Sequence, residues 1–276
     1  MICAWDKLLS VLPMKIRGDV NQIGPKKLQE IRLRIHNPPM LCLDSEIRML
    51  SCAVSQDDLA YTVNAASKYS PWSAETVSMG YLTADGGHRI GLCGDAVIKN
   101  GVMSGIRKVS SINIRVAKDY PGVSGRIKDI SGSILLIGPP GSGKTTLLRD
   151  LIRRIAENAN MAVVDERGEL FPENSFPTGK GLDILRGCPK NHGIEILLRT
   201  MGPEWIAVDE ITAPADCDAL IQAGWCGVKL LATAHAFSLD DLYTRAVYRP
   251  IVKCGLFSVI CVFNHDKTYR VERIHL

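Results

Sequence analysis

The sequence predicts an α/β protein in two parts, a smaller N-terminal α+β domain followed by a core built on a mostly parallel sheet. In the second half, an apolar run at residues 133–137 leads through a glycine-rich turn into a segment with apolar residues at 147, 148, 151, 152, 155 and 156. That spacing is the period of an amphipathic helix. Other β-rich apolar runs follow with helical patterns between several of them, as crossovers in a parallel sheet require, at residues 161–164, 205–208, 228–232 and 257–263.

The first half has a different pattern. Short strand-like runs at residues 40–43, 89–93 and 111–116 alternate with helix-like segments, notably residues 56–67. The stretch 117–126 contains one Pro and two Gly just ahead of the glycine-rich turn, which makes it the best linker candidate. We therefore expect an α+β regulatory or assembly domain at residues 1–122 and the larger core at residues 123–276.

Composition limits the class of protein. A chain of 276 residues with 46% apolar residues can bury a sizeable core, and its net charge of +4 is weak evidence for any acidic partner. The longest uncharged apolar stretches, such as residues 255–263, are far shorter than the roughly 20 residues that span a bilayer. The N-terminus also lacks the order of a secretory signal. Nine cysteines without Cys-x2-Cys spacing predict buried, reduced thiols in a cytoplasmic protein.

The glycine-rich turn has a specific chemistry. Residues 138–145 read Gly-Pro-Pro-Gly-Ser-Gly-Lys-Thr, the phosphate-binding pattern Gly-x4-Gly-Lys-Thr, in the required strand–turn–helix context. Backbone N–H groups at the start of the helix converge on phosphates, Lys144 reaches the β- and γ-phosphates, and the Thr145 hydroxyl joins the Mg²⁺ shell. The motif predicts binding of ATP and Mg²⁺. The residues predicted to hold the phosphates are Gly138, Pro139, Pro140, Gly141, Ser142, Gly143, Lys144, Thr145 and Thr146.

Two further strands are predicted to end in acids. After residues 161–164, one of Asp165, Glu166 and Glu169 would polarise the attacking water if this strand neighbours the phosphate loop; the alternative is an ordinary solvated strand end or helix N-terminus. The run at 205–208 ends in Asp209-Glu210, the form of a Walker B motif. There Asp209 would hold the Mg²⁺ through water, and Glu210 would lie next to the attacking water.

The next strand ends in Thr233-Ala-His235, where the two polar side chains are candidate sensors of the γ-phosphate. A structural histidine is the alternative. An ATPase also commonly needs an arginine supplied from a neighbouring element or subunit. Arg89, Arg107 and Arg115 in the first domain are the candidates, with a surface arginine as the alternative for each.

Together the phosphate loop, the acid-rich residues 164–169, Asp209-Glu210 and residues 233–235 resemble the four boxes of the secretion-type ATPases, which drive type II and type IV secretion and type IV pili. Within that superfamily the chain is similar to the stage III sporulation protein AA family from about residue 25 to residue 250. The segments that carry this similarity are residues 28–34, 67–69, Glu75, 80–83, 86–94, 111–115 and 197–203.

The resemblance implies a RecA-like P-loop ATPase core and a cytoplasmic ATPase of the mother cell of endospore-forming bacteria, acting at the channel complex with the forespore. It implies a hexamer that engages a polytopic membrane protein and so lies peripherally at the membrane. It also assigns Glu169 as general base. The superfamily has Gly-Glu where this chain has Asp209-Glu210, which leaves the division of labour between Glu169 and Glu210 open.

The sequence is compatible with three functions. The first is a motor ATPase in which Glu169, Glu210 and His235 act on the γ-phosphate and Arg107 or Arg115 is supplied in trans. The second is an ATP-gated switch or scaffold that recruits membrane partners and turns over slowly. The third, a nucleic-acid-dependent ATPase, is disfavoured because no aromatic-interleaved basic tract is present.

Overall fold

A computed structural model describes residues 1–67, 80–128, 130–172 and 175–274 of the chain. Lys68, Tyr69 and Glu75, which belong to the family-like segments, lie outside the described residues. The described part forms two compact units. Unit 1 consists of Met1–Asp119 together with Pro172–Phe176, and unit 2 consists of Tyr120–Phe171 and Pro177–Leu276.

Unit 1 is built on a six-stranded antiparallel sheet with the order β3-β2-β1-β6-β5-β4. Its strands are β1 (Leu28–Arg34), β2 (Met40–Leu43), β3 (Ile47–Met49), β4 (Tyr81–Thr83), β5 (Arg89–Lys99) and β6 (Val102–Arg115). Its helices are α1 (Trp5–Val11), α2 (Met14–Ile23) and α3 (Gln56–Ser67). The predicted helix at 56–67 and strand at 40–43 are confirmed, whereas β5 and β6 form a longer hairpin than their apolar runs predict.

The Gly-Gly-His segment of unit 1 has an architectural role in this structure. His88 is fully buried, and its ring nitrogens lie 3.0 Å from the Ala4 carbonyl and 3.2 Å from the Ala117 amide nitrogen. Gly86 has φ +83°, and a Cβ at this position would lie 2.5 Å from the Ala4 Cβ. The segment therefore accommodates close contacts that a larger residue would prevent.

Unit 2 contains a seven-stranded sheet with the order β13-β12-β7-β11-β10-β8-β9, parallel except for the antiparallel edge strand β13. Its strands are β7 (Ile134–Ile137), β8 (Met161–Asp165), β9 (Leu182–Arg186), β10 (Trp205–Ile211), β11 (Lys229–Ala234), β12 (Val259–Phe263) and β13 (Tyr269–Arg273). Its helices are α4 (Lys144–Ile155), α5 (Lys190–Thr200), α6 (Pro214–Trp225), α7 (Leu239–Thr244) and α8 (Arg249–Lys253).

Both faces of this sheet are covered, which explains why its central strands are continuous apolar runs. Along β7, Ile134 and Leu136 belong to the core packed with α4, while Leu135 and Ile137 belong to the opposite core packed with α5 and α6. Successive side chains of a strand point to opposite faces, so a strand covered on both sides is apolar at every position. The predicted α/β fold with an amphipathic α4 and a parallel central sheet is confirmed.

Some features of the structure differ from what the sequence patterns indicate. Two strands, β11 and β10, lie between β8 and the phosphate-loop strand β7. The edge strands β9 and β13 are not apparent as apolar runs, since their burial pattern is largely intermediate or exposed. The cysteines are free, but only Cys217 and Cys261 among them are buried. Within the described ranges, every helix is too short or too polar to cross a membrane.

Candidate functional site

The phosphate-binding loop connects β7 to α4. Gly141 and Gly143 have φ values of +73° and +98°, which side-chain-bearing residues rarely adopt. A Cβ on Gly138 would lie 2.6 Å from the Phe263 Cβ, so the loop lies directly against β12. Sequence and geometry agree that glycine is required at these positions.

Lys144 begins α4 and its side chain is turned into the loop. Its Nζ donates hydrogen bonds to the carbonyls of Gly138 and Pro139, both at 2.8 Å, and lies 3.4 Å from Nδ1 of His235. An ammonium has three donors, and all three have acceptors here. Burial lowers the pKa of Lys144, while the nearby charges of Asp209 and Glu210 oppose this effect. Lys144 thus joins the backbone of the loop to His235.

Thr145 and Asp209 are in direct contact. The Thr145 hydroxyl donates to Oδ2 of Asp209 at 2.9 Å, and the Thr233 hydroxyl donates to Oδ1 of Asp209 at 2.6 Å. Burial raises the pKa of Asp209, against these two hydrogen bonds, which lower it. The two oxygen groups predicted to hold the Mg²⁺ are therefore adjacent, although one lies on α4 and the other on β10.

A β-bulge in β10 places Asp209 and Glu210 opposite the single residue Thr233 of β11. Glu210 has φ +54°, a left-handed conformation that is uncommon for residues other than glycine. Its backbone N–H donates to the Thr233 hydroxyl at 2.7 Å. Regular alternation would send two successive side chains to opposite faces. The bulge instead brings both carboxylates to the same site.

Glu210 and Lys144 are joined through His235. Nε2 of His235 lies 3.1 Å from Oε1 of Glu210, and its Nδ1 lies 3.4 Å from the Lys144 ammonium. Because an ammonium can only donate, Nδ1 is the acceptor and the ring proton lies on Nε2, which donates to Glu210. The backbone N–H of His235 donates to the Tyr248 hydroxyl at 3.2 Å. A continuous hydrogen-bonded chain therefore runs from the phosphate loop to the Walker B glutamate.

The acid-rich turn after β8 is organised by Asp165. Its buried carboxylate accepts hydrogen bonds from the backbone N–H groups of Glu169, Leu170 and Phe171 at 2.9–3.2 Å. Burial raises the pKa of this carboxyl against those hydrogen bonds. Arg149 of α4 donates to the Glu169 carbonyl at 2.8 Å. Of the three acids considered for this turn, Asp165 therefore has a structural position, and its side chain orders the backbone that carries Glu169.

The acids of both strands line one small cavity of about 20 Å³, which is room for about one water molecule. Its acidic lining residues are Asp165, Glu166, Glu169, Asp209 and Glu210. Two cations, Arg167 and Lys190, also line it; Lys190 is buried and pairs with Glu166. Glu169 and Glu210 thus lie at the same cavity although β8 is not next to β7.

Sequence reasoning missed Arg167, Lys190 and Tyr248 at this site. Arg167 had a local signal, since it is the only cation among the acids of residues 164–169. Lys190 and Tyr248 had no local signal in the sequence, because the packing of helices brings them to the site.

The candidate arginines lie in unit 1. Arg107 and Arg115 are both on β6; Arg115 is exposed and lies 3.4 Å from the Glu30 carboxylate. Arg89 lies over the Tyr81 ring. A role in trans for Arg107 or Arg115 stays a prediction.

Comparison with known proteins identifies the family of the chain. The model of the family described as "Sporulation stage III, protein AA" matches residues 5–275. The chain is 34% identical over 261 residues to the stage III sporulation protein AA of Bacillus subtilis (strain 168), covering 87% of this chain and 84% of that protein.

Solved structures show the same fold at low sequence identity. The pilus retraction motor PilT, solved with bound ADP, matches 95% of this chain and 83% of its own with a TM-score of 0.66 and 15% identity. The ATPase DotB of Legionella pneumophila matches 95% of this chain and 80% of its own with a TM-score of 0.59 and 15% identity. The predicted RecA-like core with a smaller N-terminal α+β domain is therefore confirmed.

Proposed function

Because the chain belongs to the stage III sporulation protein AA family, we propose that it is an ATPase that powers or assembles the mother cell–forespore channel complex during endospore formation. The family name implies the role in sporulation, and the fold relates the chain to the secretion-type ATPases. The observation that carries the enzymatic part is the convergence of Lys144, Thr145, Asp209, Glu210 and His235 at one end of the parallel sheet.

The residues present fit ATP and Mg²⁺. Thr145 and Asp209 offer the oxygen ligands that Mg²⁺ prefers, and their oxygens are already 2.9 Å apart. The buried Ser142 hydroxyl has no hydrogen-bond partner among the described residues, as expected of a group that faces a ligand. When bound, Mg²⁺ supplies neutralisation of the phosphate charge. Lys144 would exchange its loop acceptors for phosphate oxygens.

Two carboxylates are available to orient and deprotonate water. Glu169 and Glu210 line the same cavity, which has room for about one water molecule. We assign the role of general base to Glu169 and the orientation of the water to Glu210. One carboxylate oxygen of Glu210 bonds to His235 and the other to Arg167, so this carboxylate is held in place. His235 and Thr233 link this cavity to the phosphate loop, so that γ-phosphate binding is sensed there.

The proposed partners rest on analogy with the secretion-type ATPases. We propose a homo-oligomer, a hexamer by analogy, in the cytoplasm of the mother cell, peripheral to the membrane through a polytopic membrane protein. Arg107 or Arg115 would reach the γ-phosphate of a neighbouring subunit. The nucleic-acid-dependent alternative would gain support only from strong stimulation of hydrolysis by single-stranded DNA.

An ATPase assay across size-exclusion fractions tests this proposal. We expect phosphate release to follow a hexamer-sized peak and to disappear in Lys144→Ala, which lacks the donors that hold the phosphates. Lys253→Ala, at the end of α8, removes a lysine of the same unit that lies outside the site and is the matched control. Absence of turnover in every fraction of the wild-type protein would contradict the proposal.

A slowly turning switch is the second candidate, and one observation favours it. Every donor of Lys144 and both carboxylate oxygens of Glu210 already have partners inside the protein, so nucleotide must rearrange the site before hydrolysis. Glu169→Gln separates the two functions. It should trap ATP and abolish sporulation if the protein is a motor, whereas a pure switch would remain functional in vivo.

A further inference from the structure

Arg167 lies in the turn after β8 and lines the same cavity as Glu169 and Glu210. Its Nη1 lies 2.9 Å from Oε2 of Glu210. Hydrogen bonds restrain the backbone that follows Arg167: the Gly168 N–H donates to the Asp165 carbonyl at 3.2 Å, and the Glu169 N–H donates to the Asp165 carboxylate at 2.9 Å. The base of the Arg167 side chain is therefore fixed relative to β8.

Glu210 is restrained through its backbone N–H and through both of its carboxylate oxygens. Its backbone N–H donates to Thr233, its Oε1 accepts from His235, and its Oε2 accepts from Arg167. The bulge fixes where the side chain starts, and His235 holds one carboxylate oxygen. Arg167 is the partner that decides where the second oxygen points, since a carboxylate held at one oxygen alone can still rotate about its terminal torsion.

This ion pair contributes little to folding. The side chains of Arg167 and Glu210 are 49% and 31% exposed, and solvent screens such a pair to at most about 1 kcal/mol. The two cations of the cavity nonetheless have separate partners, Lys190 with Glu166 and Arg167 with Glu210. The pair of Arg167 and Glu210 therefore matters for the position of the Glu210 carboxylate more than for the stability of the fold.

We propose that Arg167 is a positioning residue that fixes the Glu210 carboxylate in the hydrogen-bonded chain to His235 and Lys144, and so aligns the water shared with Glu169. The inference rests on the proposed ATPase function. It joins the acid-rich turn to the Walker B strand, so that Glu169 and Glu210 keep one relative geometry. Arg167 acts through Glu210 and does not itself contact the phosphates.

The test is a double-mutant cycle on steady-state ATP hydrolysis by the full chain. Arg167→Ala should lower kcat roughly 10- to 100-fold, because a misplaced group near the reacting atoms costs about that much, with KM for ATP nearly unchanged. Arg167→Lys should recover part of kcat, since an ammonium can still pair with Oε2. Arg270→Ala is the matched control, as this exposed arginine of the same unit pairs with Glu272 on β13.

The decisive comparison is the double variant Arg167→Ala/Glu210→Gln. It should be no slower than Glu210→Gln alone, because residues that act through one another are not additive. Losses that multiply, a Glu210→Gln variant with full turnover, or a rise in KM with unchanged kcat would overturn the role of Arg167 while leaving the ATPase intact. Wild-type protein without turnover overturns the proposed function, and this inference falls with it.

Discussion

Glu210 is the site residue whose conformation departs furthest from what its neighbours in sequence predict. It follows four buried residues of β10, where continued alternation is expected, yet it adopts φ +54° in a bulge. A left-handed conformation costs a side-chain-bearing residue about 1–3 kcal/mol. Thr233, His235 and Arg167 hold it there. Strain that is held by three residues from two separate segments is typical of functional positions.

The buried environment of His88 makes the stability of the protein depend on pH. Because the Ala117 N–H can only donate, Nδ1 of His88 is the acceptor, and its Nε2 carries the proton that bonds to the Ala4 carbonyl. Burial lowers the pKa of His88, against the hydrogen bond to Ala4. The folded protein thus holds the neutral ring, whereas the unfolded chain takes up a proton near pH 6.5.

The resulting pH dependence has a definite sign. Below about pH 6.5 the unfolded state binds more protons than the folded state, so the stabilisation from neutral His88 is present above that pH and is lost as the pH falls towards the lowered folded pKa. Denaturation midpoints measured from pH 8 to pH 5 should fall less steeply in His88→Gln than in the wild type. His192→Gln, at an exposed position on α5, should keep the wild-type slope.

At the level of elements, the local pattern predicts β7, α3 and α4 well because each forms a contiguous run with its own period. It fails for β9 and β13, whose residues are mostly half-exposed and lack that signal. The β5–β6 hairpin is also longer than predicted, since its outer half is largely exposed and its apolar residues are interrupted by glycines and polar residues. Edge strands depend on a neighbour for their conformation, and a single chain segment does not specify that neighbour.

The packing of α5 on β8 gives a test at this level. A Cβ on Gly193 would lie 2.5 Å from Cγ1 of Val164, so the helix approaches the strand at a distance that only glycine permits. Gly193→Ala should lower the free energy of unfolding by about 1–3 kcal/mol through overpacking, measured by urea denaturation. Gly125→Ala is the control in the same unit, because its Cβ would meet nothing within 4 Å. Equal stability of the two variants would contradict this packing.

At the scale of the whole molecule, the described residues form two units with separate cores. The phosphate loop and its acids belong to unit 2, while Arg107 and Arg115 belong to unit 1. A chain whose hydrolytic site needs an arginine from another subunit should be active only as an oligomer. Its specific activity should then rise with protein concentration.

Mixing two inactive variants tests this arrangement. Lys144→Ala retains its arginines, and Arg107→Ala/Arg115→Ala retains its phosphate loop, so mixed oligomers should regain phosphate release that neither variant shows alone. Arg48→Ala, an exposed arginine of the same sheet that pairs with Glu46, should behave as wild type. A mixture no more active than its components, or full turnover by the arginine double variant, would exclude supply in trans.

The phosphate loop, the helix after it and the acids at two strand ends can be read directly from the chain, because each depends on residues adjacent in sequence. The order of the strands, the bulge that turns Asp209 and Glu210 into one site, and the pairing of Arg167 with Glu210 cannot be read in this way. They depend on register and contacts between segments more than 20 residues apart, such as the 23-residue separation of Glu210 and Thr233. Those contacts are selected by the packing of the whole core, and a local pattern carries no information about them.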